Sequence, residues 1–302
     1  MSALVIDGAK IAQDIRGEVA QGVSTLQARH GIVPGLAAVL VGNDPASAVY
    51  VRNKHRACED VGIFSETIKL PYDITQDALI ESLTYINRDD RFHGILVQLP
   101  LPPQINERLT VLAIDPDKDV DGLHPANVGR LVSGAPVFIP CTPGGIQQLL
   151  LRTGNSPEGK HVVICGRSEI VGKPVAILLM QKQDGANATV TVCHTATKDL
   201  AKITQSADIL IAAVGRPNSI TADMVKQGAV VIDVGINRVE DSSKQRGYRL
   251  EGDVDYDEVS RKAKAITPVP GGVGPMTVAM LLSNTLTAAQ RKSHTTASTN
   301  RV

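Results

Sequence analysis

Short runs of Val, Ile, Leu and Ala recur along this chain, each stopped by glycine, proline or a polar residue. They are GLAAVLVG (35–42), HGILVQL (93–99), HVVICG (161–166), ATVTVCH (188–194), DILIAAVG (208–215) and AVVIDVG (229–235). FSETIKL (64–70) reads as a further strand. Runs this short and this apolar suit strands buried on both faces, as in a parallel sheet covered by helices. Between them lie stretches of helical character: 8–29, a segment opened by Asp44-Pro45 and closed by Gly62, 75–87, one reaching 111, 172–182 and 276–290. Asp as N-cap and Pro in the first turn are helix-start chemistry. Regular strand–helix alternation means α/β, and in the second half it predicts a Rossmann-like parallel sheet.

A chain of 302 residues fits two domains at about 150 residues each. Aromatics make up only 3% and Trp is absent, so the core must be aliphatic. The 31 basic residues balance the 31 acidic ones, which argues against a nucleic-acid or anionic-membrane binder. The sequence shows neither a signal pattern nor an 18-residue apolar run, so no membrane and a cytoplasmic location are expected. Cys58, Cys141, Cys165 and Cys193 show no C-x-x-C spacing and read as small buried residues.

Five segments invite chemistry. In YVRNK (50–54), Tyr50 and Lys54 are one helical turn apart, on a face that also carries Val49, Ala57, Cys58 and Val61. Lys54 there is either a snorkelling residue at the stripe edge or a partly buried lysine suited to moving protons. Gln98 stands at the carboxyl end of HGILVQL, where open α/β sheets bind ligands, although a strand cap would look the same. The turn DPDKDVDG (115–122) resembles a calcium loop, but position twelve is Val128 instead of a bidentate glutamate, so no metal is expected. One carboxylate facing a ligand and three solvated ones is the preferred reading. CGRSEIVGKP (165–174) is a strand–turn–helix whose helix start suits a phosphate, with Ser168 where the second glycine of G-x-G-x-x-G would stand. PVPGGVGPMT (268–277) is a stiff segment whose backbone can approach a ligand closely, or else a connector.

Cofactor type also has a signal. NAD enzymes usually hold the ribose with an acid after the second Rossmann strand. Here that strand ends in His194-Thr195, and Arg167 is offered in the preceding loop. This favours a 2′-phosphate, hence NADP, over a plain surface charge.

Together with DPASAVYVRNKHRACEDVGI, GILVQLPLP, PCTPGG, VVIDVGIN and GDVDY, these strings resemble the bifunctional methylenetetrahydrofolate dehydrogenase/cyclohydrolase family, the FolD type, over about 5–289. The resemblance implies oxidation of 5,10-methylenetetrahydrofolate with NADP and hydrolysis of the methenyl product to 10-formyltetrahydrofolate. It implies a folate-binding catalytic domain over 1–140 and an NADP-binding Rossmann-like domain over 141–275. A helix over 276–290 would return to the first domain, and a disordered tail would occupy 291–302. Carried over by position, Lys54 handles protons, Gln98 holds it, Tyr50 stacks on the folate and Asp121 binds the pterin edge. Pro270 and Gly272 are expected against the substrate. Gly166, Arg167, Ser168, Thr195 and Ile236 are expected against the cofactor. Thr195 stands where family members often have Ser. A homodimer through the Rossmann halves is implied. The alternative is a monofunctional NAD(P)-dependent dehydrogenase of the same fold; one with the amino-acid dehydrogenase fold would share the Rossmann half but should not need Tyr50, Gln98 and Asp121 together.

Overall fold

The computed structural model describes residues 2–244 and 247–299. In chain order the first elements are β1 (Leu4–Val5), α1 (Gly8–His30), β2 (Gly35–Val41), α2 (Pro45–Asp60), β3 (Phe64–Leu70), α3 (Gln76–Arg88) and β4 (Gly94–Val97). Then come α4 (Glu107–Leu112), α5 (Pro125–Val132), α6 (Cys141–Arg152), β5 (His161–Cys165), α7 (Gly172–Leu179), β6 (Thr189–Cys193) and α8 (Leu200–Thr204). The chain continues through β7 (Ile209–Ala212), β8 (Val230–Asp233), β9 (Asn237–Glu240), β10 (Tyr248–Glu251), α9 (Tyr256–Ser260), β11 (Ala265–Ile266) and α10 (Val273–Thr299).

Two compact units result. One comprises residues 1–12 and 142–277, the other 13–141 and 278–302. The first twelve residues therefore do not belong with 13–140, as the sequence suggested. Leu4 and Val5 pair in parallel with Ala265 and Ile266. A two-residue strand leaves no periodic signal, so the sequence could not reveal this pairing.

The 13–141 unit holds a three-stranded parallel sheet, β3-β2-β4. β2 is buried along its whole length, which explains its unbroken apolar run. α3 covers it with Leu79, Leu83 and Ile86, spaced at helical period. His93 joins β4 to β2: its Nδ1 accepts the Gly35 N–H at 3.1 Å.

The other unit holds a six-stranded sheet, β1-β11-β8-β7-β5-β6, parallel throughout. After β5 the chain adds β6 on one side and β7 on the other. The carboxyl ends of β5 and β7 thus form a topological switch point, the place where such sheets bind dinucleotides. β9 and β10 make a separate antiparallel hairpin. Polar and apolar residues mix along both strands, so neither offers an apolar run to read.

α10 starts at Val273, earlier than 276, because Pro275 falls in the first turn, where no intrahelical N–H is needed. Nor does the helix end at 290. The helix continues to Thr299, with Ser293 buried and Lys292 Nζ 2.6 Å from Asp90. That anchorage, absent from the composition, overrides the Ser/Thr-rich signal; residues 300–302 lie outside the described residues. α7 ends at Leu179, short of 182, where Ala188 N–H turns back to the Leu179 carbonyl.

His93 makes stability pH-dependent. Burial lowers its pKa to about 4, and Lys292 and Lys118 push the same way. An unfolded chain protonates near pH 6.5, so the neutral histidine costs the fold stability as pH falls from 6.5 towards 4. Asp233, raised by burial to about 6, acts with the opposite sign between 6 and 4. The comparison of wild type with His93→Asn isolates the histidine. Chemical denaturation should show the wild type losing its advantage over the variant between pH 7 and 4.5. A pH-independent gap would contradict this assignment.

Candidate active site

α2 begins where Asp44 accepts the Ser47 N–H at 2.7 Å, with Pro45 in its first turn. Its buried line is Ser47, Val51 and Cys58, and Lys54 falls on that line, half-buried. Val49 does not belong to it: the residue is 44% exposed, because position 49 lies on the far side of the Ser47–Val51–Cys58 line. Tyr50 is 47% exposed and so is free to meet a flat ligand.

Gln98 lies just past β4, its N–H bonded to the Val39 carbonyl of β2 at 2.9 Å. Its side-chain Nε2 donates to the Leu99 carbonyl at 2.7 Å. That bond fixes the amide orientation and leaves Oε1 facing Lys54, whose Nζ donates to it at 3.0 Å. A lysine and a neutral amide thus meet at the carboxyl edge of a parallel sheet.

The acidic turn runs alongside β4, with Ile95 N–H bonded to the Lys118 carbonyl and Asp119 bridged to Ile95. Asp119 is not solvated, contrary to expectation. It is buried and accepts from Asn127 Nδ2 and the His124 N–H, each at 2.8 Å. Burial raises its pKa, against the pull of those donors. Asp115 Oδ1 accepts the Asp117 N–H, and both residues are exposed. Asp121, half-exposed, follows the buried Val120. Asn284 fastens this place: its Nδ2 donates to the carbonyls of Val120 (2.8 Å) and Ile139 (2.9 Å). An asparagine inside the apolar string LLSNTL was the available signal for it, and it was missed. The Cys141 thiol is held well above its ordinary pKa by burial, then by Asp121, with Lys54 opposing. Asp121 and Lys54 therefore each lie within electrostatic reach of Cys141.

In the other unit, Gly166 adopts φ +133°, and a Cβ there would sit 2.2 Å from the Ala213 carbonyl oxygen. The loops after β5 and β7 thus touch at the switch point, and only glycine fits between them. The helix start is less open than expected. Ser168 Oγ accepts the N–H groups of Val171 (3.2 Å) and Gly172 (3.4 Å), and its carbonyl accepts that of Lys173 (3.0 Å). A serine in the second-glycine place closes the turn with its own oxygen. Arg167 is exposed. Cys165 and Cys193 are register partners, so Arg167 and the exposed Thr195 stand on neighbouring loops. Ile236 is 49% exposed beyond β8 and meets Gly274, where a Cβ would lie 3.5 Å from its Cδ1. The 268–274 segment is itself tightly folded. A Cβ on Gly272 would be 2.6 Å from the Pro268 oxygen, and one on Gly8 would be 1.8 Å from the Gly272 oxygen. Pro270 follows a cis bond in this segment. Lys54, Gln98, Tyr50 and Asp121 are in one unit, the remaining candidates in the other.

Among the described residues, no three His, Cys, Asp or Glu side chains are grouped to hold a metal ion. No helix among them is long and apolar enough to cross a membrane.

Two family models match the chain: the tetrahydrofolate dehydrogenase/cyclohydrolase catalytic domain over residues 6–121, and its NAD(P)-binding domain over residues 140–293. A bifunctional protein FolD from Chlorobium phaeobacteroides is 58% identical over 289 residues, covering 95% of this chain and 98% of that protein. The crystal structure of the bifunctional enzyme FolD from Campylobacter jejuni is 46% identical, with a TM-score of 0.90 over 96% of this chain and 100% of that one. The Trypanosoma brucei FolD, solved with NADP cofactor and inhibitor, is 43% identical, with a TM-score of 0.91 over 97% and 99%.

Proposed function

This chain belongs to the tetrahydrofolate dehydrogenase/cyclohydrolase family, and on that premise we propose that it oxidises 5,10-methylenetetrahydrofolate with NADP and hydrolyses the methenyl product to 10-formyltetrahydrofolate. The observation that carries the reading is the 3.0 Å contact between Lys54 and Gln98, a lysine held by a neutral amide at the carboxyl edge of a parallel sheet. In the hydrolysis, neutral Lys54 takes a proton from water as its oxygen attacks the methenyl carbon. The ammonium so formed is held by Gln98 Oε1. It returns the proton to the folate nitrogen as the carbon–nitrogen bond breaks. Tyr50 stacks on the pterin and Asp121 accepts from its ring N–H and amino group.

A dinucleotide would bind at the switch point. The glycine contact at Gly166, the exposed Ser168, the Arg167–Thr195 neighbourhood and the exposed apolar Ile236 support this reading. When bound, NADP supplies the acceptor for the hydride. The protein's part in that step is positioning, since the bridging carbon needs neither acid nor base. A homodimer and a cytosolic setting, where the buried thiols stay reduced, complete the proposal; light scattering reads the first.

The test is one assay. Methylenetetrahydrofolate and NADP should give a transient methenyl absorbance that then decays. A stable band would mean a dehydrogenase alone, and no band would sink the proposal.

NADP preference follows from Arg167. Its exposure puts the charge-assisted bond to a 2′-phosphate near the low end, about 1.5 kcal/mol or roughly tenfold. Arg167→Ala should raise KM for NADP by about that factor and leave KM for NAD nearly unchanged. Equal weakening of both would remove Arg167 from 2′-phosphate recognition.

A further inference from the structure

Two aspartates that no role above uses are among the best-sequestered side chains of the six-stranded unit. Asp253 is fully buried and Asp233 is 3% exposed. The Asp253 carboxylate accepts four hydrogen bonds. Oδ2 takes the N–H groups of Val214 (2.6 Å) and Gly215 (2.9 Å); Oδ1 takes the Arg216 N–H (3.0 Å) and Asn237 Nδ2 (2.9 Å). Three consecutive amides therefore converge on one buried carboxylate, a nest of the kind that otherwise collects an anion from solution. Asp233 holds Asp253 in turn: its Oδ1 accepts the Asp253 N–H at 2.9 Å and the Gly235 N–H at 3.0 Å, and its Oδ2 accepts the Val254 N–H at 3.0 Å. The Asp233 N–H donates to the Thr267 hydroxyl at 2.7 Å, immediately before the Pro268–Gly274 segment. Two glycines make the room. A Cβ on Gly235 would lie 2.2 Å from Asp253 Oδ1, and one on Gly252 would lie 1.8 Å from Asp233 Oδ2.

The place of this network matters more than its strength. Residues 213–216 leave β7 at the switch point, and the Ala213 oxygen is what Gly166 abuts. They run against the 166–168 loop, at the switch point where sheets of this kind bind dinucleotides. We propose that Asp253, braced by Asp233, is a positioning residue for the cofactor: an internal carboxylate that sets the 213–216 segment at the switch point before NADP arrives. It touches no reacting atom. It acts by directing three backbone amides inward, so that the segment is shaped without ligand and binding need not order it. This inference rests on the reading of NADP as cofactor.

The experiment is Asp253→Asn in the full chain. Whichever way the amide turns, its NH2 faces N–H donors, so the segment loses acceptors on one side while the side chain keeps its size. Cofactor and folate are titrated separately, and methenyltetrahydrofolate hydrolysis, which consumes no cofactor, is measured on the same samples. The expected result is an NADP KM raised roughly tenfold or more, with folate affinity and hydrolysis within about twofold of wild type. That split distinguishes positioning from general loss of structure. If the variant does not fold, Asn237→Ala removes one donor to the same carboxylate and leaves the amides intact; a rise of about threefold in NADP KM with unchanged hydrolysis supports the inference. An unchanged NADP KM in whichever of the two variants folds overturns it, as does an equal fall in folate binding and hydrolysis. A wild type that binds no NADP overturns the functional reading, and this inference with it.

Discussion

Lys54→Met should stop hydrolysis of methenyltetrahydrofolate, lowering its rate by a factor on the order of a hundred to ten thousand, while oxidation of methylenetetrahydrofolate falls far less. Methionine keeps an unbranched side chain of similar length and the packing beside Val51 and Cys58, so α2 has no reason to shift. What disappears is the group proposed to take a proton from water and give it back. The contact to Gln98 Oε1 at 3.0 Å disappears with it. The two half-reactions respond differently because they ask different things of the protein. Hydride transfer needs the donor carbon and the acceptor ring held in register. Hydrolysis needs a base that becomes an acid within one turnover. Both rates are measured on one purified variant. Hydrolysis at the wild-type rate would remove Lys54 from the mechanism. Equal loss of both reactions would make its role structural.

Lys54 and Gln98 were each readable because each breaks a pattern, a lysine in an apolar stripe and a glutamine after an apolar run, whereas their pairing was implied only by the family resemblance. The same logic exposed the Rossmann half, whose strands are short, apolar and stopped by Gly166, Gly215 and Gly235. It failed where structure is carried by long-range polar contacts. Asp253 reaches Val214 across 39 residues, and Asn284 reaches Val120 across 164. Neither side chain announces its partner in local sequence. β1 escaped for a related reason, since two residues pair with a strand some 260 positions away. Ser168 shows a subtler limit. Its place in the glycine-rich turn was legible, but its oxygen's use in capping α7 depends on the fold of the loop.

Asp119 sharpens the second large effect. Four acids crowd the 115–122 turn, and the structure separates them by task. Asp115 closes a local turn, Asp117 is exposed with Arg130 3.5 Å away, and Asp119 is buried on Asn127 and His124. Asp121 alone is half-exposed and backed by a fixed backbone, since Asn284 grips the carbonyl of Val120. Gly122 follows with φ +71°, and a Cβ there would strike Pro140 N at 2.9 Å, so the turn behind Asp121 tolerates no side chain. A pterin edge presents a ring N–H and an amino group side by side, and one carboxylate accepts both. Asp121→Asn keeps the size, loses the charge and aims a donor at donors. Folate affinity should fall by about 1.5–3 kcal/mol, roughly ten- to hundredfold. NADP affinity should hardly change, because the cofactor residues belong to the other unit. Asp117→Asn is the right control; Asp119→Asn is not, since it would break the buried bonds that shape the turn. Folate and NADP are titrated separately against both variants. Equal folate affinity in Asp121→Asn and Asp117→Asn would mean that the ligand-facing acid lies elsewhere.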